Sequence, residues 1–231
     1  MNALHIAIHY NNIGVTLLEI GHHEECLEIF RGSAELMYIA TQSIHQNPHA
    51  TMLNDTKIQE VLAKLQNVVI RSTIHPKNED SRRENDCFLY HTAISVSHSK
   101  AGKHPPSNCA LASATVLFNM ALTYHLGSPL PHNLCPSLYN ALTLYDMAYS
   151  VARRVEKEPG SQRVICAALN NLGHLHHELG RYGTSRGYLD DLSSYIVSLD
   201  LYGGDKESKS EQRRFLLNAM FLLKPRGAPA A

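Results

Sequence analysis

The string Asn11-Asn12-Ile13-Gly14 recurs 159 residues later as Asn170-Asn171-Leu172-Gly173. The recurrence keeps its register, because Glu19-Ile20-Gly21 returns as Glu178-Leu179-Gly180 at the same offset. Internal repetition at a fixed spacing is typical of folds in which each unit buries its apolar face against the next unit. The sequence therefore predicts an array of similar helical units.

Each copy also carries small and large residues at matching distances after its glycine. Gly14 is followed by Leu17 three residues on, by Cys26 twelve on and by Phe30 sixteen on. A small residue twelve on is expected to oppose the glycine from the second helix of a hairpin, and the large residue one turn later fills the wider gap. In the third copy, Gly173 is followed at the same distances by His176, Ser185 and Leu189. A middle copy has Ala121 in place of the glycine, followed by Tyr124 and, after an insertion, by Ala141 and Tyr145.

These spacings resemble the tetratricopeptide repeat (TPR), a pair of antiparallel helices of about 34 residues. The resemblance covers roughly residues 10–38, 115–153 and 165–197. It departs from the family at the closing proline, which all three copies lack. The resemblance implies a mainly α fold of antiparallel helical hairpins, in which the first helices of successive hairpins line a concave groove.

Turn residues divide the chain into helical hairpins and one insertion. Hairpins are expected at about 3–44, 108–157 and 161–200, with a flexible or inserted region at about 45–107. Residues 56–70 of that region carry apolar side chains at helical spacing, which predicts an amphipathic helix. This helix is either a degenerate repeat helix or an arm that packs loosely on the array, and we favour the loosely packed arm. The whole chain of 231 residues is interpreted as a single TPR-like domain.

The segment at 87–96 shows a different pattern, because larger apolar residues alternate with smaller or more polar ones, which is a strand period. A strand needs a partner. The apolar run at 215–223 is the candidate partner, although the region 211–223 also fits a helix. We therefore expect a small inserted two-stranded antiparallel β element, packed on the helical array.

The composition argues against several classes of partner. The chain has 21 basic and 21 acidic residues and a formal net charge of +0, so no overall field favours nucleic acid or an anionic membrane. No uninterrupted apolar run approaches the about 18 residues of a membrane span, and the N-terminus lacks the basic region of a signal peptide. The five cysteines form no CxxC pair and are interpreted as reduced thiols. These features predict an intracellular, cytoplasmic protein that binds neither nucleic acid nor membrane, with a nuclear location left open.

The densest group of histidines, His174-Leu175-His176-His177-Glu178, does not complete a metal site in the sequence. His174 and Glu178 share one helix face, but the zinc-protease motif needs a second histidine where Arg181 stands. No glycine-rich phosphate loop and no nucleophile elbow occurs. The sequence therefore predicts no catalytic residue, no metal ion and no cofactor.

The resemblance places a set of side chains in the groove, where they are candidates for binding. An asparagine offers both a donor and an acceptor, which suits the main chain of an extended peptide. Phe118 is the expected anchor, because buried aromatic residues dominate small interfaces. A remaining alternative is that Asn12 and Asn171 only satisfy backbone groups between helices. The candidate groove residues are Asn11, Phe118, Asn119, His125, Asn170 and His174.

These features support three functional hypotheses. The leading one is a non-catalytic TPR-like scaffold or adaptor that binds an unidentified protein or peptide. The groove carries no lysine or arginine, so the two-carboxylate clamp of chaperone-tail receptors is not expected. The alternatives are a regulatory TPR domain whose inserted strands cover a small-molecule site and, third, a thiol-based enzyme. The sequence does not indicate an oligomeric state.

Overall fold

The computed structural model describes residues 2–45, 51–74, 89–96, 105–128, 136–200 and 206–223. The described residues form eight helices and contain no strand, so the prediction of a mainly α fold is confirmed. The helices are α1 (Ala3–Glu19), α2 (His23–His45), α3 (Thr51–Ile74), α4 (Pro105–Leu126), α5 (Pro136–Arg154), α6 (Ser161–Glu178), α7 (Tyr182–Asp200) and α8 (Lys206–Leu223).

Left-handed glycines mark the turns of the first and third copies. Gly21 follows α1 with a φ of 82°, and Gly180 follows α6 with a φ of 70°. Gly160 precedes α6 with a φ of 91°. Glycine adopts this conformation without the steric cost that a Cβ would add. The hairpin bounds predicted at about 3–44 and 161–200 agree with the ends of α1–α2 and α6–α7, because turn residues act locally.

The helices pack in two rows. The inner row consists of α1, α4, α6 and α8, each in contact with the next. The outer row consists of α2, α5 and α7. Three hairpins, α1–α2, α4–α5 and α6–α7, each contribute one helix to each row, and α8 ends the inner row against α6 and α7. The core lies between the two rows.

Close helix contact at the repeated glycines joins the rows. A Cβ on Gly14 would lie 2.6 Å from the ring of Phe30, and a Cβ on Gly173 would lie 2.6 Å from Leu189. The Ser185 hydroxyl also donates a hydrogen bond of 2.7 Å to the Gly173 carbonyl. The nearest side chains are therefore the large residues sixteen positions on, and the expected contact of Gly173 with Ser185 is present as well.

The predicted loose packing of residues 56–70 is wrong. Val61, Leu65 and Val68 of α3 are each 2–3% exposed. A Cβ on Gly32 of α2 would lie 2.5 Å from Leu65, so α3 presses directly on the backbone of α2. The missing side chain at Gly32 makes room for Leu65, and the sequence analysis did not use that glycine.

The predicted two-stranded β element is also wrong. Residues 215–223 belong to α8, and residues 89–96 carry neither helix nor strand. Cys87 and Phe88 lie outside the described residues. The two segments do touch, because the rings of Tyr90 and Phe215 lie 5.2 Å apart. The main chain of 89–96 has partners of another kind, which are side chains of the inner row.

Helix α4 lies at the centre of the array. Among the described residues it alone is long and apolar enough to cross a membrane, over Cys109–Leu126. However, 61% of this window is buried inside the structure, where α4 contacts α1, α2, α5 and α6. A helix that is apolar on all sides suits the centre of a core, so this apolarity does not by itself indicate a membrane span.

Candidate functional site

Residues 89–96, which we call the crossing segment, lie against the inner row and are held there by three asparagines. Each asparagine accepts a hydrogen bond from the backbone N–H of one segment residue and donates one to the carbonyl of the same residue. The pairs are Asn171 with Tyr90 (2.8 and 3.0 Å), Asn119 with Ile94 (2.9 and 2.9 Å) and Asn12 with Val96 (2.9 and 2.9 Å). We call these three asparagines the asparagine clamp.

The clamp uses one repeated position of the sequence. Each clamp asparagine stands two residues before the small residue that packs against the outer row. Two residues correspond to about 200° around a helix, so the asparagine points away from the outer row. The segment therefore runs from α6 across α4 to α1, with one contact of the same type on each helix. The small residues concerned are Gly14, Ala121 and Gly173.

The neighbouring asparagines hold the clamp in position. Asn11 donates to the Ile94 carbonyl over 3.3 Å and accepts from the Asn119 amide over 3.0 Å. Asn170 donates to Asn171 over 3.0 Å and accepts from Asn218 of α8 over 3.2 Å. A buried amide is stable only when its donors and acceptor are bonded. The clamp side chains are thereby fixed in the orientation that binds the main chain.

Tyr90 fills a pocket that three helices build. Its hydroxyl donates to Glu211 over 2.8 Å and accepts from Arg163 over 2.9 Å. Its ring lies 6.1 Å from that of Phe118 and 5.2 Å from that of Phe215. Burial is the main cause that raises the pKa of Tyr90 above its ordinary value, so the hydroxyl stays protonated and able to donate. This pocket is the most specific contact of the crossing segment.

A hydrogen-bond chain extends from the clamp into the array. The Asn171 amide donates to the Tyr145 hydroxyl over 3.1 Å, and that hydroxyl lies 3.4 Å from Nδ1 of His125. Tyr145 is fully buried, and its burial raises its pKa. The two histidine tautomers would reverse the donor in the second contact. The main chain of Tyr90 is therefore linked to His125 through two side chains.

Three groups that can bind a metal ion meet at the end of that chain. Nε2 of His125 lies 3.4 Å from Oε2 of Glu178, and Nδ1 of His174 lies 3.7 Å from the same oxygen. The three candidate ligand atoms lie within 4.8 Å of one another. We call these three residues the histidine cluster. His125 comes from α4 and the other two residues come from α6, so the sequence pattern of α6 alone did not reveal the set.

The structure brings the predicted groove residues together in two groups. Asn11, Asn119 and Asn170 lie at the asparagine clamp, whereas His125 and His174 lie in the histidine cluster. Phe118 is fully buried, against the rings of Tyr90 and Tyr145. Asn12 and Asn171, for which the satisfaction of backbone groups was the alternative to partner binding, bind the backbone of the crossing segment. Their shared string with Gly14 and Gly173 was the signal for this role. Arg163 and Glu211 gave no recognisable signal in the sequence, and the signal for Tyr90 was its place in the alternation at 87–96.

The described cysteines bear on the hypothesis of a thiol enzyme. Cys26, Cys109 and Cys166 are all buried. Burial raises the pKa of the Cys166 thiol to about 12. An activated cysteine needs the opposite shift, because the thiolate is the nucleophile. The geometry at Cys166 therefore does not favour nucleophilic chemistry.

Comparisons with protein-family models, with curated proteins and with solved structures found no match to this chain.

Proposed function

We propose that the chain is a non-catalytic, TPR-like binding protein whose inner row grips the main chain of a peptide through the asparagine clamp. The observation that carries this proposal is the paired hydrogen bonding of Tyr90, Ile94 and Val96 by asparagines at one repeated position. The crossing segment is then the resident occupant of the groove, and a partner binds by taking its place.

The asparagine clamp binds main-chain groups, so it should bind peptides of many different sequences. A side-chain amide that bonds both the N–H and the C=O of one residue supplies affinity without selecting the side chain, much as a strand added to a sheet does. Selectivity must come from the pockets between the clamps. The Tyr90 pocket, with Arg163, Glu211 and Phe215, provides one of them.

The resident segment indicates the chemistry of a suitable partner. Tyr90 and Ile94 are buried at 7% and 6% exposure, whereas His91, Thr92 and Ser95 are exposed. A partner peptide should therefore carry a tyrosine and, four residues later, a branched aliphatic residue. The positions of His91 and Thr92 are expected to tolerate change, because their side chains face solvent, whereas the position of Ala93 is buried and should take only a small residue.

A peptide added in trans tests this proposal. The resident segment is tethered at both ends and has a high effective concentration, about millimolar for a short tether, so a free peptide competes poorly with it. The full chain with the substitutions Tyr90→Ala and Ile94→Ala weakens the resident segment. A labelled peptide with the sequence of residues 88–97 should bind this variant more tightly than the unaltered chain. Binding should also raise the melting temperature of the variant, because the peptide stabilises only the folded state.

Two controls make the result specific. A peptide in which alanine replaces the residue that corresponds to Tyr90 should bind more weakly by about 2 kcal/mol, as expected for a buried aromatic anchor. If the double variant does not fold, Ile94→Ala alone provides a milder competitor. A folded variant that neither binds the peptide nor gains thermal stability from it would contradict the proposal. Phe118→Ala is unsuitable as a groove probe, because Phe118 is fully buried.

A further inference from the structure

The atoms of the histidine cluster lie close enough together to be ligands of one metal ion. Its two measured edges, both to Oε2 of Glu178, are 3.4 Å from His125 and 3.7 Å from His174. Hydrogen bonds from nitrogen to oxygen are usually about 2.7–3.2 Å long. Ligand atoms about 2.1 Å from a tetrahedral zinc ion are separated by about 3.4 Å. Both edges are longer than most hydrogen bonds, as is the 3.4 Å contact between His125 and Tyr145, and they are close to the spacing of zinc ligands. The third pair of ligand atoms, on His125 and His174, lies within 4.8 Å.

The ligand types also suit one class of ion. Two imidazole nitrogens and one carboxylate oxygen form a set that proteins use for Zn²⁺, and hard ions such as Ca²⁺ and Mg²⁺ prefer oxygen ligands alone. Both histidines are nearly buried, at 3% and 5% exposure, while the side chain of Glu178 is 21% exposed. The partly exposed carboxylate leaves a side from which an ion and a water ligand can enter.

The surroundings of His125 resemble the outer shell of a metal ligand. A ligating histidine usually bonds through its second ring nitrogen to a polar group that fixes its orientation. Nδ1 of His125 lies 3.4 Å from the Tyr145 hydroxyl, which Asn171 holds in turn. Metal binding at Nε2 would place the proton of His125 on Nδ1, facing that hydroxyl. The ring is thus aimed at the cluster by groups that are already in place.

We propose that His125, His174 and Glu178 bind one divalent ion of the zinc class, with a water molecule as the fourth ligand. The ligand atoms are Nε2 of His125, Nδ1 of His174 and Oε2 of Glu178. No metal ion was predicted from the sequence, because only His174 and Glu178 share one helix face there. An ion at this position joins α4 to α6 and stabilises their contact. The proposal is independent of the proposed function, since it needs no peptide.

Titration of the full chain with metal tests the proposal. Protein freed of metal by a chelator and then dialysed should bind one equivalent of Zn²⁺ and gain thermal stability. Co²⁺ at the same site should show the visible absorption of a tetrahedral complex. Glu178→Gln and His174→Gln should each weaken Zn²⁺ binding by more than about 100-fold, because the loss of a direct ligand exceeds the about 10–100-fold cost of losing an outer-shell group.

The matched control is His177→Gln, one residue before Glu178 and outside the cluster, which should leave the affinity unchanged. Tyr145→Phe keeps every ligand and should weaken binding by about 10–100-fold, which covers the case in which a ligand variant fails to fold. Two results would overturn the proposal. One is the absence of stoichiometric binding to the unaltered chain, and the other is binding that Glu178→Gln and Tyr145→Phe leave unchanged, since this would place the ion on surface histidines.

Discussion

The first and third copies share the string Asn-Asn-x-Gly but place it in different surroundings. In the first copy, Asn12 is half-buried and holds Val96 at one end of the crossing segment. In the third copy, Asn171 is fully buried and bonds both the backbone of Tyr90 and the Tyr145 hydroxyl. The repeated position of the asparagine determines which backbone groups it binds. The burial of the surrounding residues determines how much free energy the contact contributes. The following predictions test that distinction, from the largest expected effect to the smallest.

Gly173→Leu should cause the largest loss. The first atom of the new side chain would lie 2.6 Å from Leu189, and the rest would have no space, so a loss of about 3 kcal/mol in the free energy of unfolding is expected. Denaturant unfolding measures it. Gly183→Leu on α7 is the control, because no heavy atom lies within 4 Å of the position of its Cβ. Equal losses in the two variants would mean that helix contact at Gly173 is not the cause. Gly14→Leu, which meets Phe30, should resemble Gly173→Leu.

Asn171→Ala should follow, with a loss of about 2–3 kcal/mol. It removes both bonds to Tyr90 and leaves a buried N–H and a buried carbonyl without partners, which costs more than the bonds themselves contribute. Thermal and denaturant melts of the variant measure the loss. A change below about 1 kcal/mol would show that the crossing segment releases from α6 at little cost.

Asn12→Ala makes the same chemical change in the first copy and should cost only about 1 kcal/mol. Val96 and Asn12 are partly exposed, so water can replace the lost hydrogen bonds. The comparison uses the same melts as for Asn171→Ala. If both alanine variants lose equal stability, the difference in burial does not change how much stability each end of the clamp contributes.

The smallest effect concerns a position at which the two copies differ in chemistry. Leu17 of the first copy corresponds to His176 of the third, and both are nearly buried. Burial lowers the pKa of His176 below its ordinary value of 6.5, Arg181 lowers it further and Asp146 opposes the shift. The unfolded chain therefore binds the proton more tightly than the folded chain. Stability from His176 is complete above about pH 6.5 and is lost as the pH falls from there through the lowered pKa.

His176→Leu, which copies the first repeat, tests this sign. The melting temperature of the unaltered chain should fall between pH 8 and pH 5.5, and the variant should fall less. His177→Gln serves as the control for the loss of one histidine. If the melting temperature of the variant falls as much as that of the unaltered chain, or more, protonation of His176 is not the cause of the loss of stability at low pH.

Local signals explain which parts of this fold the sequence could predict. The turns after α1 and α6 lie at Gly21 and Gly180, two glycines that recur at the same offset in the sequence, because a left-handed glycine ends a helix through its own conformation. The alternation at 87–96 was recognised, but it was assigned to a strand ladder. Its real partners are side chains 25 to 84 residues away, such as Asn119 for Ile94 and Asn12 for Val96. The alternation indicates that one face of the segment is buried. It does not indicate whether the segment pairs with the backbone of a second strand or with side chains of helices.

The same limit applies to the histidine cluster. His125 and Glu178 lie 53 residues apart and meet only because α4 and α6 are neighbours in the inner row. The resemblance placed His125 and His174 on one groove but gave no distance between them. A set of side chains on two helices can be predicted only when the packing of those helices is known. The hydrophobic period of each helix does not determine that packing.

The crossing segment also changes how the array should fold. In an array whose units touch only their neighbours, units can melt one after another, and stability is close to a sum of separate terms. Here one stretch of eight residues is bonded to the first, middle and third copies together, so the opening of any copy loosens the other two. A single concerted transition is the expected consequence. The segment also precedes α4 and α6 in the chain, so during synthesis it is present before two of its three binding helices exist. Helices α4 and α6 can then pack against the crossing segment, which has already been synthesised.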